Sequence, residues 1–122
     1  MCLKYILNIF FFKFSLISET TPTLVNLTGV DVSEWARDQR NLYIGRGCKS
    51  YPLASYWQNP FRISSLCSRE QSISKYKEFL EQNEEMLEML PSLANMNLGC
   101  WCVPWTCHGH VIIDAFKTHI FV

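Results

Sequence analysis

The order of apolar segments between Leu42 and Phe116 restricts this chain to a narrow set of folds. A short strand at Leu42–Ile44, an irregular loop, a long helix, a second strand, a loop and a final helix together form a βαβα unit. Two strands joined through a helix are nearly always parallel, with a right-handed crossover. With an earlier strand at Thr23–Leu27, the sequence predicts a small three-layer, Rossmann-like α/β domain with a short, mostly parallel sheet.

The long helix has the clearest local signature. Ser68 and Gln71 have the spacing of a capping box, and apolar residues then recur at helical spacing from Ile73 to Leu90. Pro91 should end the helix because its ring blocks continuation.

The length of 122 residues suits one domain. We expect residues 24–122 to form this single α/β domain and residues 1–23 to be an apolar extension outside its core. The apolar run Tyr5–Phe12 is shorter than the ~20 residues that a membrane-spanning helix requires, so no membrane span is expected. A secretion signal is less favoured, because no small-x-small cleavage site precedes Glu19.

Charge and cysteine content narrow the function. Eleven basic and eleven acidic residues leave no net charge, which argues against general nucleic-acid binding. The six cysteines would suggest a disulfide framework in a small secreted protein. However, Cys100 and Cys102 lie too close together in one predicted strand to bridge easily. We therefore expect reduced thiols in an intracellular, cytoplasmic protein.

Three cysteines and two histidines fall within eleven residues that begin at Cys100. A predicted strand at Asn97–Cys102 places Cys100 and Cys102 on the same face. Cys107 and His108 immediately precede the apolar stripe of the last predicted helix. A helix N-terminus favours an anion or a thiolate, so this segment is the predicted chemical centre.

Parallel strands bring the loops that follow them to one edge of the sheet, which is where open α/β sheets bind ligands. The loop of Gly45, Arg46 and Gly47 and the loop that ends at His108 should therefore meet. Arg46 can present its guanidinium to a phosphate or carboxylate, or can simply be an exposed turn residue. Asn59 can orient a base edge or a sugar hydroxyl, or can cap its own turn.

The cysteine cluster allows three interpretations. Cys100, Cys102, Cys107 and His108 are residue types that bind zinc, although their spacing lacks the usual C-x2-C knuckle. Alternatively, Cys107 is a nucleophilic thiolate whose pKa is lowered by the helix end and by His108 or His110. In the third interpretation the cysteines are buried and chemically idle beside a ligand pocket.

Four motifs in a fixed order carry a family resemblance. They are YIGRG at Tyr43–Gly47, NPF at Asn59–Phe61, Ser68-Arg69-Glu70 followed by Tyr76, and LGCWC with a later CHG between Leu98 and Gly109. From about Leu24 to Phe116 the chain resembles the family catalogued as domain of unknown function 4326. The resemblance implies a compact α/β domain with a shared site, and it implies no particular activity.

The chain departs from the pattern of that family at three places. Gln58 stands where the family usually has glycine before NPF, and His110 stands where aspartate commonly follows CHG. A usual glycine and lysine before the last strand are replaced near Asn95 and Met96. If the glycine allowed close backbone approach to a ligand, Gln58 would narrow that approach, as in a degenerate member.

The sequence therefore predicts a pocket for a phosphorylated small molecule, most simply a nucleotide or a derivative. The expected ligand-binding residues are Gly45, Arg46, Gly47, Asn59, Cys100 and Cys102. Helix amides near His108 should help hold the anion, and any group transfer or hydrolysis should use Cys107 or His108. The alternative is a non-catalytic interaction module whose Cys/His cluster binds zinc and whose aromatic loop meets a macromolecular partner.

Overall fold

A computed structural model describes residues 20–47 and 55–119. Within these residues the elements are strands β1 (Thr23–Asn26), β2 (Asn41–Tyr43) and β3 (Asn97–Cys100), and helices α1 (Val32–Trp35), α2 (Arg69–Glu81), α3 (Glu84–Met89) and α4 (His108–His119). A short 3-10 helix, Leu90–Leu93, follows α3. The predictions for residues 1–19 and for Cys48 lie outside the described residues.

The three strands form one parallel sheet in the order β1-β3-β2. The predicted parallel pairing of β2 with β3 through a helical crossover is therefore confirmed, and so is the α/β class. Leu24, Leu98 and Leu42 lie side by side in the register, so one row of leucines crosses the sheet.

The two faces of the sheet are covered unequally. The leucine row packs into a core that also contains Tyr76 and Leu80 of α2, and Ile112 and Phe116 of α4. On the other face, a smaller cluster joins Val25 and Tyr43 of the sheet to Val32 and Trp35 of α1. The side chain of Asp31 caps this one-turn helix by accepting the backbone N–H of Glu34.

The prediction of one continuous helix up to Pro91 was wrong. The capping box of Ser68 and Gln71 is present as predicted, but α2 ends at Glu81. Asn83 leaves the helical conformation, with φ −103° and ψ 95°, and its side chain accepts the N–H of Met86 to begin α3. The chain therefore turns at Asn83, because an asparagine side chain satisfies the amides of a new helix start.

The second correction concerns the strand predicted to reach Cys102. It ends at Cys100, and the chain then turns so that the N–H of Trp105 donates to the carbonyl of Cys102 at 2.7 Å. At the other end of the sheet, the N–H of Thr23 donates to the carbonyl of Met96. The described part of the N-terminal segment thus pairs with the sheet from Thr23 onward.

No helix among residues 20–47 and 55–119 is long and apolar enough to cross a membrane.

Candidate ligand-binding site

A cavity of about 380 Å³ opens at the carboxyl ends of β2 and β3. Seven of the residues predicted for the site line it: Gly45, Arg46, Gly47, Asn59, Cys100, Cys102 and His108. The remaining predicted site residue, Cys107, does not line the cavity. Parallel pairing explains this convergence, because it places the ends of β2 and β3 side by side.

Arg46 holds a half-buried positive charge in the cavity wall. Its Nε donates to the carbonyl of Asn59 at 3.1 Å, which fixes the guanidinium against the NPF segment. Burial lowers the pKa of Arg46, and the nearby charge of Arg62 lowers it further. Within the described residues Arg46 has no carboxylate partner.

Asn59 is held by its own loop. Its Oδ1 accepts the N–H of Phe61 at 2.9 Å, and its Nδ2 donates to the Oγ of Ser72 at 2.9 Å. Ser72 is buried in the first turns of α2 and donates in turn to the carbonyl of Phe61. These bonds match the turn-capping interpretation and make Asn59 the support that positions Arg46.

Tyr43 forms the base of the glycine loop. Its ring is buried, and its hydroxyl donates to the backbone carbonyl of Arg46 and accepts from Nε1 of Trp101 at 3.1 Å. A Cβ atom at Gly45 would lie 2.4 Å from that hydroxyl. Any side chain at position 45 would clash with the tyrosine packed beneath it, which explains the glycine. Trp101 lines the cavity and is 44% exposed.

His108 connects α4 to the end of β2. Its Nε2 lies 2.9 Å from the carbonyl of Ile44, and a carbonyl can only accept, so Nε2 carries the proton. Burial lowers the pKa of His108, which favours the neutral ring. The ring also packs edge-on against Tyr76. His108 thus has a structural role in addition to lining the cavity.

The N-terminus of α4 is capped by side chains. The N–H of Gly109 donates to Sγ of Cys107 at 3.3 Å, and the N–H of Cys107 donates to Nδ1 of His110 at 3.1 Å. The N–H of His110 bonds to the carbonyl of Cys107. These three amides already have acceptors, and anion binding by helix amides near His108 stays a prediction.

Cys100 and Cys107 form a thiol pair with a distance of 3.6 Å between the two Sγ atoms. A hydrogen bond from the Cys107 thiol lowers the pKa of Cys100, and the backbone amides of Cys102 and Val103 lower it further. The same hydrogen bond, together with burial, raises the pKa of Cys107. Thiolate character is therefore favoured at Cys100 and not at Cys107, where the sequence had predicted it.

The residues proposed as zinc ligands do not form a metal site. In the described part of the chain, no three His, Cys, Asp or Glu side chains are grouped so that they could hold a metal ion. The Nε2 atom of His108 is bonded to a backbone carbonyl, and Cys100 and Cys107 contact each other as free thiols.

Five lining residues were not predicted from the sequence: Tyr43, Phe61, Ile63, Ser72 and Trp101. Tyr43 and Phe61 lie within motifs that were recognised, so proximity to Gly45 and Asn59 was an available signal. Ser72 had no such signal, because it reaches the cavity only through the packing of α2 against the NPF segment. Gln58 is not among the described residues that line the cavity, and its effect on ligand approach stays a prediction.

A family model described as domain of unknown function (DUF4326) matches residues 30–118. No curated protein and no solved structure matches the chain.

Proposed function

This chain belongs to the family described as domain of unknown function (DUF4326), and we propose that its cavity binds a small phosphorylated molecule, a nucleotide or a nucleotide derivative. The observation that carries the proposal is the guanidinium of Arg46. It lines the cavity, is half buried, and has no carboxylate partner among the described residues. A desolvated cation of this kind gains most from an anion that accepts from its two Nη groups.

The anchoring of Arg46 supports the same ligand. Nε is bonded to the carbonyl of Asn59, which holds the guanidinium in place. Within the described residues its Nη groups have no hydrogen-bond partner, so they can bind a ligand. Arg62 adds a second positive charge close enough to lower the pKa of Arg46. Two cations with no carboxylate partner among the described residues favour a phosphate over a neutral group.

The rest of the wall suits a planar ring. Tyr43, Phe61 and Trp101 give aromatic surface, and Trp101 is exposed enough to contact a ligand. The volume of about 380 Å³ lies at the small end of the range of small-molecule sites. A single nucleotide unit fits this combination of an aromatic wall and a guanidinium better than an extended polymer does.

Binding is the activity that the geometry supports best. Group transfer or hydrolysis by Cys107 or His108 has less support, since Cys107 does not line the cavity and Nε2 of His108 is bonded to Ile44. The zinc-binding alternative has no assembled ligand set in the described residues to support it. We place the protein in an intracellular compartment, because the cysteines that the structure describes are free thiols.

A thermal-shift comparison tests the proposal. Each common nucleoside 5′-monophosphate is compared with its phosphate-free nucleoside, because a ligand that binds only the folded chain raises the melting temperature. We expect at least one nucleotide to raise the melting temperature clearly more than its nucleoside does. Failure of every nucleotide at millimolar concentration would contradict the proposal.

Two matched variants assign the effect to the cavity. Arg46→Gln removes the charge from the wall and should abolish the extra shift caused by the phosphate. Arg40→Gln removes an exposed charge whose only ion pair in the described residues is with Asp38, and should leave that shift unchanged. Equal shifts in wild type and Arg46→Gln would show that the nucleotide binds elsewhere.

A further inference from the structure

We propose that Cys100 and Cys107 form a redox-active dithiol that exchanges with a small disulfide entering the cavity, with Cys100 as the attacking thiol and Cys107 as the resolving thiol. This activity goes beyond ligand binding and does not depend on the phosphorylated ligand.

Topology places the two thiols together. Cys100 is the last residue of β3 and Cys107 immediately precedes α4, and the loop between them brings their Sγ atoms to 3.6 Å. A disulfide needs about 2.05 Å between these atoms, so they must approach by roughly 1.5 Å.

The two positions differ in their relation to the cavity. Both thiols are buried, with Cys100 1% and Cys107 3% exposed. Cys100 belongs to the cavity wall, whereas Cys107 does not line the cavity. One thiol is therefore placed to meet an external disulfide, and its neighbour is placed to react only with the first.

The hydrogen bonds reinforce this difference. The contact with the Cys107 thiol holds the pKa of Cys100 below its usual range, and the backbone amides of Cys102 and Val103 lower it further. The attacking species in disulfide exchange is the thiolate. Cys107 has a raised pKa and remains protonated until Cys100 has reacted.

The reaction balances as two exchange steps. The Cys100 thiolate attacks one sulfur of a disulfide such as oxidised glutathione, forming a mixed disulfide and expelling one glutathione thiolate, which takes up a proton. Cys107 then loses its proton and attacks Sγ of Cys100, so that the mixed disulfide breaks and the second glutathione leaves as a thiolate. The protein loses two electrons as its disulfide forms, and oxidised glutathione gains them.

Cys102 is the competing thiol. It also lines the cavity and is only half buried. However, it follows the end of β3, and within the described residues Sγ of Cys100 contacts Sγ of Cys107. The experiment must therefore identify which two of these three cysteines form the disulfide.

Disulfide mapping on the full native chain identifies the bonded pair. The reduced protein is exposed to oxidised glutathione without denaturant, quenched with acid and alkylated, and then cleaved with chymotrypsin. Cleavage after Trp101 and Trp105 puts Cys100, Cys102 and Cys107 on different peptides. We expect a cross-linked pair of peptides carrying Cys100 and Cys107, with Cys102 alkylated. A bridge that includes Cys102, or unmodified Cys100 and Cys107, would overturn the proposal.

Single variants test the order of attack. Cys107→Ser removes the resolving thiol, so glutathione should accumulate on Cys100. Cys100→Ser should lose the bridge and leave Cys107 unmodified, whereas Cys67→Ser should form the bridge as wild type does. Glutathione on Cys107 in the Cys100→Ser variant would refute the assigned order. Circular dichroism confirms that each variant is folded, and the wild-type mapping does not depend on any variant.

Discussion

Asn95 has a backbone conformation that few residues other than glycine adopt. Its φ is 64°, in the left-handed region, and its N–H donates to the carbonyl of Thr20 at 2.8 Å just before β3. Asparagine tolerates this region better than other residues that carry a Cβ atom. The replacement of the family's usual glycine near this position is therefore compatible with the same turn.

This geometry predicts opposite effects for two substitutions of Asn95. Asn95→Gly should leave the free energy of unfolding unchanged or raise it slightly, because glycine adopts a positive φ without strain. Asn95→Ala should lower it by about 1 kcal/mol. Urea denaturation of both variants measures the difference. Equal losses would show that the side chain of Asn95, and not its φ, is what matters.

Protonation of His108 makes the folding stability depend on pH. Burial lowers its pKa from the ordinary 6.5, and the charge of Arg46 lowers it further. In the unfolded chain the same imidazole takes up a proton near pH 6.5, while the folded chain resists protonation. The unfolded state therefore binds more protons in this window, so stability falls as pH decreases through and below about 6.5.

We expect His108→Gln to reduce this acid sensitivity. The glutamine amide can still donate to the carbonyl of Ile44, but it does not titrate. The free energy of unfolding is measured at pH 7.5 and pH 5.5 for wild type, His108→Gln and the exposed control His119→Gln. On acidification the free energy of unfolding should fall less in His108→Gln than in wild type or His119→Gln. An identical loss in all three proteins would assign the acid sensitivity to other groups.

Among the elements, α4 has an unusual start. Sγ of Cys107 accepts the N–H of Gly109, and Nδ1 of His110 accepts the N–H of Cys107. This reciprocal pattern is that of a capping box, with sulfur and imidazole in place of hydroxyl and carboxylate. An aspartate, which the family commonly has at this position, offers an equivalent acceptor, so His110 preserves the cap and does not by itself indicate degeneration.

Substitution of His110 tests the cap. His110→Ala removes the acceptor and should lower the free energy of unfolding by about 1 kcal/mol. His110→Asp keeps an acceptor and should retain most of the stability. His119→Ala, an exposed change in the last turn of α4, controls for general effects on the helix. The capping role would be refuted if His110→Asp were as damaging as His110→Ala.

The order of the three strands and of α2 and α4 was predictable because each of these elements carries its own local signal. The capping box at Ser68 and the short apolar strands were enough to predict the βαβα unit, and parallel topology then predicted where the loops meet. The break at Asn83 was missed because the apolar stripe continues across it, with Leu80 on one side and Met86 on the other. Periodicity alone does not distinguish one continuous helix from two helices that are separated by a capping residue.

The chemistry of the site was less predictable than its location. Asn59 and His108 are polar residues at a cavity, yet their hydrogen bonds go to Ser72 and Ile44, which are distant in sequence. The contact between Cys100 and Cys107 likewise depends on where the loop returns after β3. Such partners follow from tertiary packing, which one sequence does not specify residue by residue.

At the scale of the whole molecule, the central claim is that the sheet edge holds a phosphate against Arg46. Isothermal titration calorimetry can test it with four affinities: the best-binding nucleoside monophosphate and its nucleoside, each with wild type and with Arg46→Gln. This cycle isolates the coupling between the guanidinium and the phosphate from any general effect of the substitution. We predict a coupling energy of about 1.5 to 3 kcal/mol, as for a charged hydrogen bond. A coupling near zero, with the phosphate contributing equally in both proteins, would contradict the claim.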